Sequence, residues 1–310
     1  MKRILLVLSC TLALGLIFSC RGNVGQAATQ PKYEVVTTPA DSLLAEKILS
    51  SLVAQRNLPT PELMFKAASD LLGQPYVAGT LEGGDHEQVR VYLTQTDCIL
   101  YVETVMDLAI TAKQGKATFP ALAENIRLSR YRDGVAENYS DRIHYTTEWI
   151  RQGEKRGILR DITLDLGGEV YDHPISYMSR HPSSYKHLKD AQTDPVSSHD
   201  LEVISQVEKT LNETPMTYIP QDRIAQAAPL IKTGDIIAYM STVEGLDIAH
   251  VVMAYVQDDP SYPNGKKVGF MHASMGKMQV IVDPKSIEEY VKASRSINGI
   301  KVMRVKDDIR

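Results

Sequence analysis

The chain has 310 residues, 43% hydrophobic and 23% charged, with a formal net charge of −4. That length accommodates one large domain or two small ones, and the composition is ordinary for a soluble globular protein. The slightly acidic balance lacks the basic patch that nucleic-acid binding needs, so nucleic acid is not an expected partner.

The first elements read as targeting, not fold. Lys2-Arg3 is a charged start, and Ile4 to Phe18 is an apolar run too short for a comfortable membrane span. It ends in Leu16-Ile17-Phe18-Ser19-Cys20, which resembles a bacterial lipobox. On that reading residues 1–20 are a lipoprotein signal peptide and Cys20 becomes the lipid-modified N-terminus, a membrane anchor. The alternative is an ordinary secretion signal cut near Gln26-Ala27-Ala28. Both readings export the protein, and the anchored form is expected in the periplasm. Residues 21–40 read as a tether, and 41–310 as the folded domain, in which about 115–230 mixes helical pieces with Pro- and His-containing loops.

A helix is expected from Asp41-Ser42-Leu43-Leu44, with its cap at Asp41 or Ser42, and a second from Thr60-Pro61 to Leu72. Gly73-Gln74-Pro75-Tyr76 is a turn, and Gln88 to Leu93 a candidate strand. Glu82-Gly83-Gly84-Asp85 lacks the lysine and hydroxyl of a phosphate loop and reads as a plain turn. A long apolar helix follows from Cys98 to about Ala112, and two hairpin strands are expected around Ile158–Leu166. From Gly234 the chain turns β-rich, with segments at Asp235–Met240, Ala249–Tyr255, Lys267–His272 and Met278–Val282 forming an antiparallel meander. A helix at Ser286–Ser294 and a strand at Ile300–Val305 close the chain. Helices first and strands later describe an α+β fold.

Three cysteines are present, and Cys10 and Cys20 belong to the signal, so Cys98 alone remains in the folded region and no disulfide can form within it. Cys98 opens its helix, where partial positive charge and free N–H groups favour a thiolate. A cysteine nucleophile needs a base and a group that orients the base. His250 begins one apolar strand and His272 ends the next, so both imidazoles can project from one edge of the sheet. We assign His250 as base and His272 as its orienting partner, with the Cys98 N–H and the Tyr76 hydroxyl as oxyanion donors. With no HExxH motif, no paired CxxC and no ligand doublet at helical spacing, metal catalysis is not expected, and no cofactor is assigned.

These residues carry a resemblance. Pro75-Tyr76, Thr96-Asp97-Cys98, Gly234-Asp235-Ile236-Ile237, His250-Val251-Val252-Met253 and His272-Ala273, in that order, resemble the NlpC/P60 superfamily of cell-wall cysteine peptidases and amidases. Arg142-Ile143-His144-Tyr145 with Trp149, Ile175 to Pro182 with Tyr185, Tyr218-Ile219-Pro220 and Gly245 to His250 narrow it to the DUF1460 branch, the N-acetylmuramoyl-L-alanine amidase-like family. The likeness spans about residues 60–300. Ala249 stands where the pattern more usually has Ser before the histidine.

The resemblance implies a papain-like core, a catalytic helix packed on an antiparallel sheet with additional helices. It implies Cys98, His250 and His272 as the catalytic set and no metal. The implied activity is cleavage of the amide between the lactyl group of N-acetylmuramic acid and L-alanine in peptidoglycan fragments, with anhydro-muropeptides as suggested substrates. For binding, Tyr145 and Trp149 are expected to stack on a pyranose face, and Ser176, Ser179, Arg180 and His181 to hold carboxylates or hydroxyls, Arg180 through its bidentate fork. A monomer is expected. Two other readings stand beside this one: a γ-D-glutamyl-diaminopimelate endopeptidase using the same residues, and a catalytically silent peptidoglycan-binding lipoprotein.

Overall fold

The computed structural model describes residues 33–262, 265–307 and 309. The signal peptide, Cys20 and most of the expected tether therefore lie outside the described residues. Residues 33–40, read above as tether, pack on the domain: β1 (Val35–Val36) pairs in parallel with β2 (Val89–Arg90), and the Tyr33 hydroxyl donates to Glu124.

Four helices build one side of the molecule: α1 (Pro39–Val53), α2 (Thr60–Asp70), α3 (Cys98–Lys113) and α4 (Phe119–Arg130). Thr38, not Asp41 or Ser42, caps α1, and Asp41 is the third helical residue that closes the capping box. Asp41 is fully buried because it has a second task. Its Oδ1 accepts from the backbone N–H of Leu93 (2.8 Å), the N–H of Thr94 (2.8 Å) and the Thr94 hydroxyl (2.7 Å). One carboxylate thus ties the start of α1 to the loop that delivers Cys98. Helix α3 is buried almost all round, so its sequence reads as an apolar run without a polar face.

The middle of the chain holds α5 (Thr146–Lys155), β3 (Leu159–Asp161), β4 (Glu169–Tyr171), the single-turn α6 (Tyr177–Arg180), α7 (Pro195–Asn212), β5 (Met216–Pro220) and α8 (Ile224–Ala227). The hairpin expected around Ile158–Leu166 does not form. β3 joins β10 (Ile297–Val305), Leu164–Leu166 is a helical turn, and β4 pairs with β5. Those short strands take partners far away in sequence, which local pattern does not reveal.

The meander is present as β6 (Ile236–Ser241), β7 (Ile248–Asp258), β8 (Lys266–Ser274) and β9 (Gln279–Val282), followed by α9 (Ile287–Lys292). The sheet runs β4-β5-β10-β6-β7-β8-β9, antiparallel at every pairing, with β3 beside the end of β10. Alternate residues of β6 serve two cores. Ile236, Ala238 and Met240 face the α1–α4 side, while Ile237 and Tyr239 face α8 and α9. A sheet covered on both faces explains why β6 reads as unbroken hydrophobics. The fold is α+β, as the sequence suggests.

Asp41→Ala strands the Leu93 and Thr94 amides in a buried setting and should lower stability by roughly 3 kcal/mol. Urea denaturation checks this. An unchanged midpoint would show that the carboxylate does not anchor the loop before Cys98.

Candidate active site

Helix α3 begins at Cys98 because Asp97 caps it, its side chain accepting from the Leu100 N–H at 3.0 Å. The approach to that cap is stitched to β9. Gly73 N–H donates to the Val280 carbonyl (2.9 Å), Val280 N–H to Gln74 (2.8 Å) and Tyr76 N–H to Met278 (3.0 Å). Tyr76 also bridges Thr96, two residues before the thiol. The half-buried Cys98 side chain faces the backbone N–H of Val251, the residue after His250, closely enough to favour its anion without a full hydrogen bond. Tyr76 and Tyr290 both stand near enough to Cys98 for its charge to oppose ionisation of their hydroxyls, after the larger effect of burial.

The histidines meet. His250 Nε2 lies 2.7 Å from His272 Nδ1, with the rings edge to face at 76°. Two features of the sheet bring this about. Tyr239 pairs with His250 while Met240 pairs with Ile248, so Ala249 is the extra residue of a bulge that re-aims His250. The ladder between β7 and β8 runs only to Met253↔Met271. Continued one step, it sets Val252 opposite His272 and His250 diagonally beside it on the same face.

Asp283 completes the row, and sequence reasoning missed it. It follows the last residue of β9, and its Oδ2 lies 3.3 Å from His272 Nε2, at an angle too oblique for a full hydrogen bond. The available signal was a strand-ending aspartate in Val282-Asp283-Pro284, one strand beyond His272. Tyr239, Phe270 and Tyr290 surround the two imidazoles. Among the described residues, no group of three or more His, Cys, Asp or Glu side chains is arranged to hold a metal ion.

Burial dominates the electrostatics. It pushes the Cys98 thiol up to about 11, with Asp97 adding to the rise and the nearby backbone N–H groups opposing it. It pushes His250 down to about 3, helped by the neighbouring His272. The helix terminus was expected to favour a thiolate. In the structure burial of the sulfur and the acidic cap oppose it, so the Cys98 thiol and the His250 imidazole are each pushed toward the neutral form.

The expected sugar and peptide contacts are placed less uniformly. Tyr145 is 2% and Trp149 4% exposed, so neither ring presents a face to a ligand. The Tyr145 hydroxyl donates to Glu208 (2.6 Å) and accepts from the Met178 N–H (2.8 Å), a packing role. Arg180 and His181 are exposed and Ser179 is half-buried. Arg180 is engaged by Glu244, His181 Nδ1 lies 2.8 Å from the Tyr177 carbonyl oxygen, and the Ser179 hydroxyl donates to the Ser176 carbonyl. Ser176 and Tyr177 donate their N–H groups to the Gly245 carbonyl, which docks this segment on the loop leading to His250. On the other flank, Met275 and Met278 are exposed in the β8–β9 turn beside Tyr76, and Met278 holds a left-handed φ of 54°. Such strain in a non-glycine residue is uncommon and concentrates near functional sites.

The model of the N-acetylmuramoyl-L-alanine amidase-like family matches residues 66–300. A crystal structure of an N-acetylmuramoyl-L-alanine amidase from Bacteroides uniformis ATCC 8492 is 32% identical, with a TM-score of 0.69, over 80% of this chain and 99% of that one. A Bacteroides fragilis protein provisionally described as a xylanase is 31% identical, with a TM-score of 0.67, over 77% of this chain and 98% of that one. Legionella pneumophila LPG0564, of family DUF1460, shares the fold at 19% identity and a TM-score of 0.59, over 85% of this chain and 95% of that one. A search of curated proteins found no match.

A thiol raised to about 11 ionises only as pH climbs well past neutrality, so iodoacetamide should label Cys98 about tenfold or more slowly than an unstructured cysteine at pH 8. The rate should keep rising through pH 10. A plateau below pH 7 would show a preformed thiolate. The matched region, and the relatives that share it, place the chain in the N-acetylmuramoyl-L-alanine amidase-like family.

Proposed function

We propose that the protein is a cysteine-dependent N-acetylmuramoyl-L-alanine amidase with a papain-like NlpC/P60 core. It cleaves the lactyl–L-alanine amide of peptidoglycan fragments, anhydro-muropeptides among them. The observation that carries the reading is that Cys98, at the start of α3, lies near the Val251 N–H on the strand that carries His250, and His250 in turn lies 2.7 Å from His272, in a chain of this family. We further propose that the protein is exported to the periplasm and anchored by lipid on Cys20.

The Cys98 sulfur attacks the lactyl carbonyl carbon as its proton passes to His250. The C–S bond forms, and the carbonyl oxygen becomes an oxyanion at the N-terminus of α3, where the Cys98 N–H is an available donor. Collapse breaks the C–N bond, and the proton on His250 goes to the departing L-alanine nitrogen. Water then gives a proton to His250 and attacks the thioester. The C–S bond breaks, the acid is released, and the thiol regains its proton. Helix-end N–H groups and a positioned base account for the reaction without a metal in any step.

The exposed groups near this centre divide into two flanks. On one side the half-buried Tyr76 and the exposed Met275 and Met278 offer apolar surface that suits the hydrophobic face of a sugar. Arg180 and His181 lie on the segment docked beside His250 and suit carboxylates. Glycoside hydrolysis, which the description of the Bacteroides fragilis relative names, fits this centre poorly. It calls for a pair of carboxyl groups flanking the bond, and the reacting groups assembled at this site are a thiol and an imidazole.

Mass spectrometry of a defined anhydro-muropeptide incubated with the protein should show a released peptide that begins with L-alanine. Cys98→Ala should reduce its formation by at least ~10³-fold while leaving the thermal unfolding midpoint nearly unchanged. A muramoyl dipeptide product would move the scissile bond to that of a γ-D-glutamyl-diaminopimelate endopeptidase. Undiminished activity in the variant would remove Cys98 as nucleophile, and no product from either protein would favour a binding role.

A further inference from the structure

The row of polar side chains does not stop at the second histidine. His250 on β7, His272 on β8 and Asp283 just past β9 occupy one face of three neighbouring strands, each diagonal to the next. The Asp283 N–H donates to the Phe270 carbonyl (3.0 Å), extending the β8–β9 ladder by one residue and fixing where the carboxylate stands. Its two oxygens then divide their work. Oδ1 accepts from the Lys285 N–H (2.9 Å), closing a local turn, and Oδ2 faces His272 Nε2 at 3.3 Å. His272 is 2% exposed, so water has little access to either nitrogen.

We infer that Asp283 is a positioning residue that selects the proton arrangement of the histidine pair and so leaves His250 able to act as a base. This rests on the amidase reading for its kinetic consequence, though not for its structural one. A neutral imidazole has one donor and one acceptor nitrogen, and a carboxylate only accepts. Facing Asp283, His272 carries its hydrogen on Nε2. Its Nδ1 is then bare and accepts from His250 Nε2–H across the 2.7 Å contact. The remaining nitrogen of His250, Nδ1, keeps its lone pair and takes the thiol proton. The opposite arrangement would put hydrogen on both Nδ1 atoms, turn a lone pair toward Asp283 and abolish the base. When His250 gains a proton, His272 and the carboxylate also stabilise the new charge.

The groups that face this row are few. His250 and His272 have Tyr290 of α9 beside them, and His250 has Tyr239 of β6 as well. Cys98 lies near the N–H of Val251, the residue after His250, and the Lys285 ammonium lies 5.9 Å from the centre of the Tyr290 ring. Within this set, Asp283 is the one carboxylate within 4 Å of either imidazole.

The Lys285 N–H makes Asp283→Asn more informative than a simple deletion. That amide donor holds the Asn carbonyl in the Oδ1 place and turns the NH₂ group toward His272. The NH₂ donates to Nε2 and reverses both tautomers. Asp283→Ala removes the bias without reversing it. At neutral pH we expect Asp283→Asn to lose about 10³-fold in kcat with little change in KM, and Asp283→Ala to lose only about 10-fold. The acidic limb of the kcat/KM profile should move to lower pH in the Ala variant, because the anion favouring the imidazolium is gone. Nitrogen-15 NMR of the histidine side chains reads the tautomers directly, with no substrate. Hydrogen on Nε2 of both rings is expected in the wild type, and on Nδ1 of both rings in Asp283→Asn. Wild-type protein with His272 protonated on Nδ1, or identical tautomers in wild type and Asn variant, would overturn the proposal. Expected tautomers without amidase turnover would leave it standing and count against the function alone. Loss of the folded NMR spectrum in both variants would make Asp283 a structural residue and also overturn it.

Discussion

The site depends on strand register. His250, His272 and Asp283 meet only because β7, β8 and β9 are aligned to the residue, and a slip by one would turn each side chain to the opposite face. Burial on both faces of the sheet makes that slip costly, since it would exchange the residues of the two cores. The bulge at Ala249 adjusts the last residue needed. A small residue suits it, because Ala249 is exposed with no room demanded for packing. The Gly73–Tyr76 turn is hydrogen-bonded to Met278 and Val280 and also pairs with Thr96, two residues before Cys98, so it ties the start of α3 to the edge of the sheet that carries the imidazoles. Asp41 holds the loop before Cys98 at Leu93 and Thr94.

That rigidity sets the electrostatics. Asp97 caps α3, a contribution of about 1 kcal/mol to the helix, yet it is also the second-largest influence raising the Cys98 thiol. The residue that best starts the helix therefore works against the thiolate that the helix N-terminus would favour. The aromatic wall of Tyr239, Phe270 and Tyr290 desolvates the histidines in the same way. On the proposed mechanism the reaction must move the sulfur's proton to His250. On that mechanism a row that ends in a carboxylate would lower the barrier where it is highest, because the imidazolium would exist only while the reaction is under way.

Much of this was legible from residue pattern alone. The lone cysteine at a helix start and two histidines on successive short strands were sufficient to anticipate the pairing, because strand alternation and antiparallel order constrain where such side chains go. Asp283 was hidden because its position depends on how the Met275–Met278 turn sets the register of β9, and a left-handed Met278 is not announced by its residue type. Tyr145 and Trp149 illustrate the opposite failure. Aromatic residues suit sugar stacking and core packing equally well, and only the contact with Glu208 and the burial decide between them. The ionisation of Cys98 was misjudged for a related reason: the helix start is visible in sequence, whereas the desolvation that overrides it is a property of what packs around the sulfur.

A neutral resting thiol has a consequence for a protein proposed to work outside the cytoplasm. Oxidation and disulfide exchange proceed through the thiolate, so a permanently ionised sulfur in an oxidising compartment would be exposed to both. Cys98 is the single cysteine among the described residues, and no neighbouring cysteine there can rescue it as a disulfide. Holding it as a thiol suppresses those reactions by the same factor that suppresses alkylation. On the proposed mechanism substrate would reverse the balance locally, because an acyl carbon at the helix terminus would give the developing sulfur charge somewhere to go and the proton would move only at that moment. Burial of the thiol, the acidic cap and the unprotonated histidines would then be one arrangement on the proposed mechanism: nucleophilicity withheld from solvent species and released to an amide carbonyl that fits.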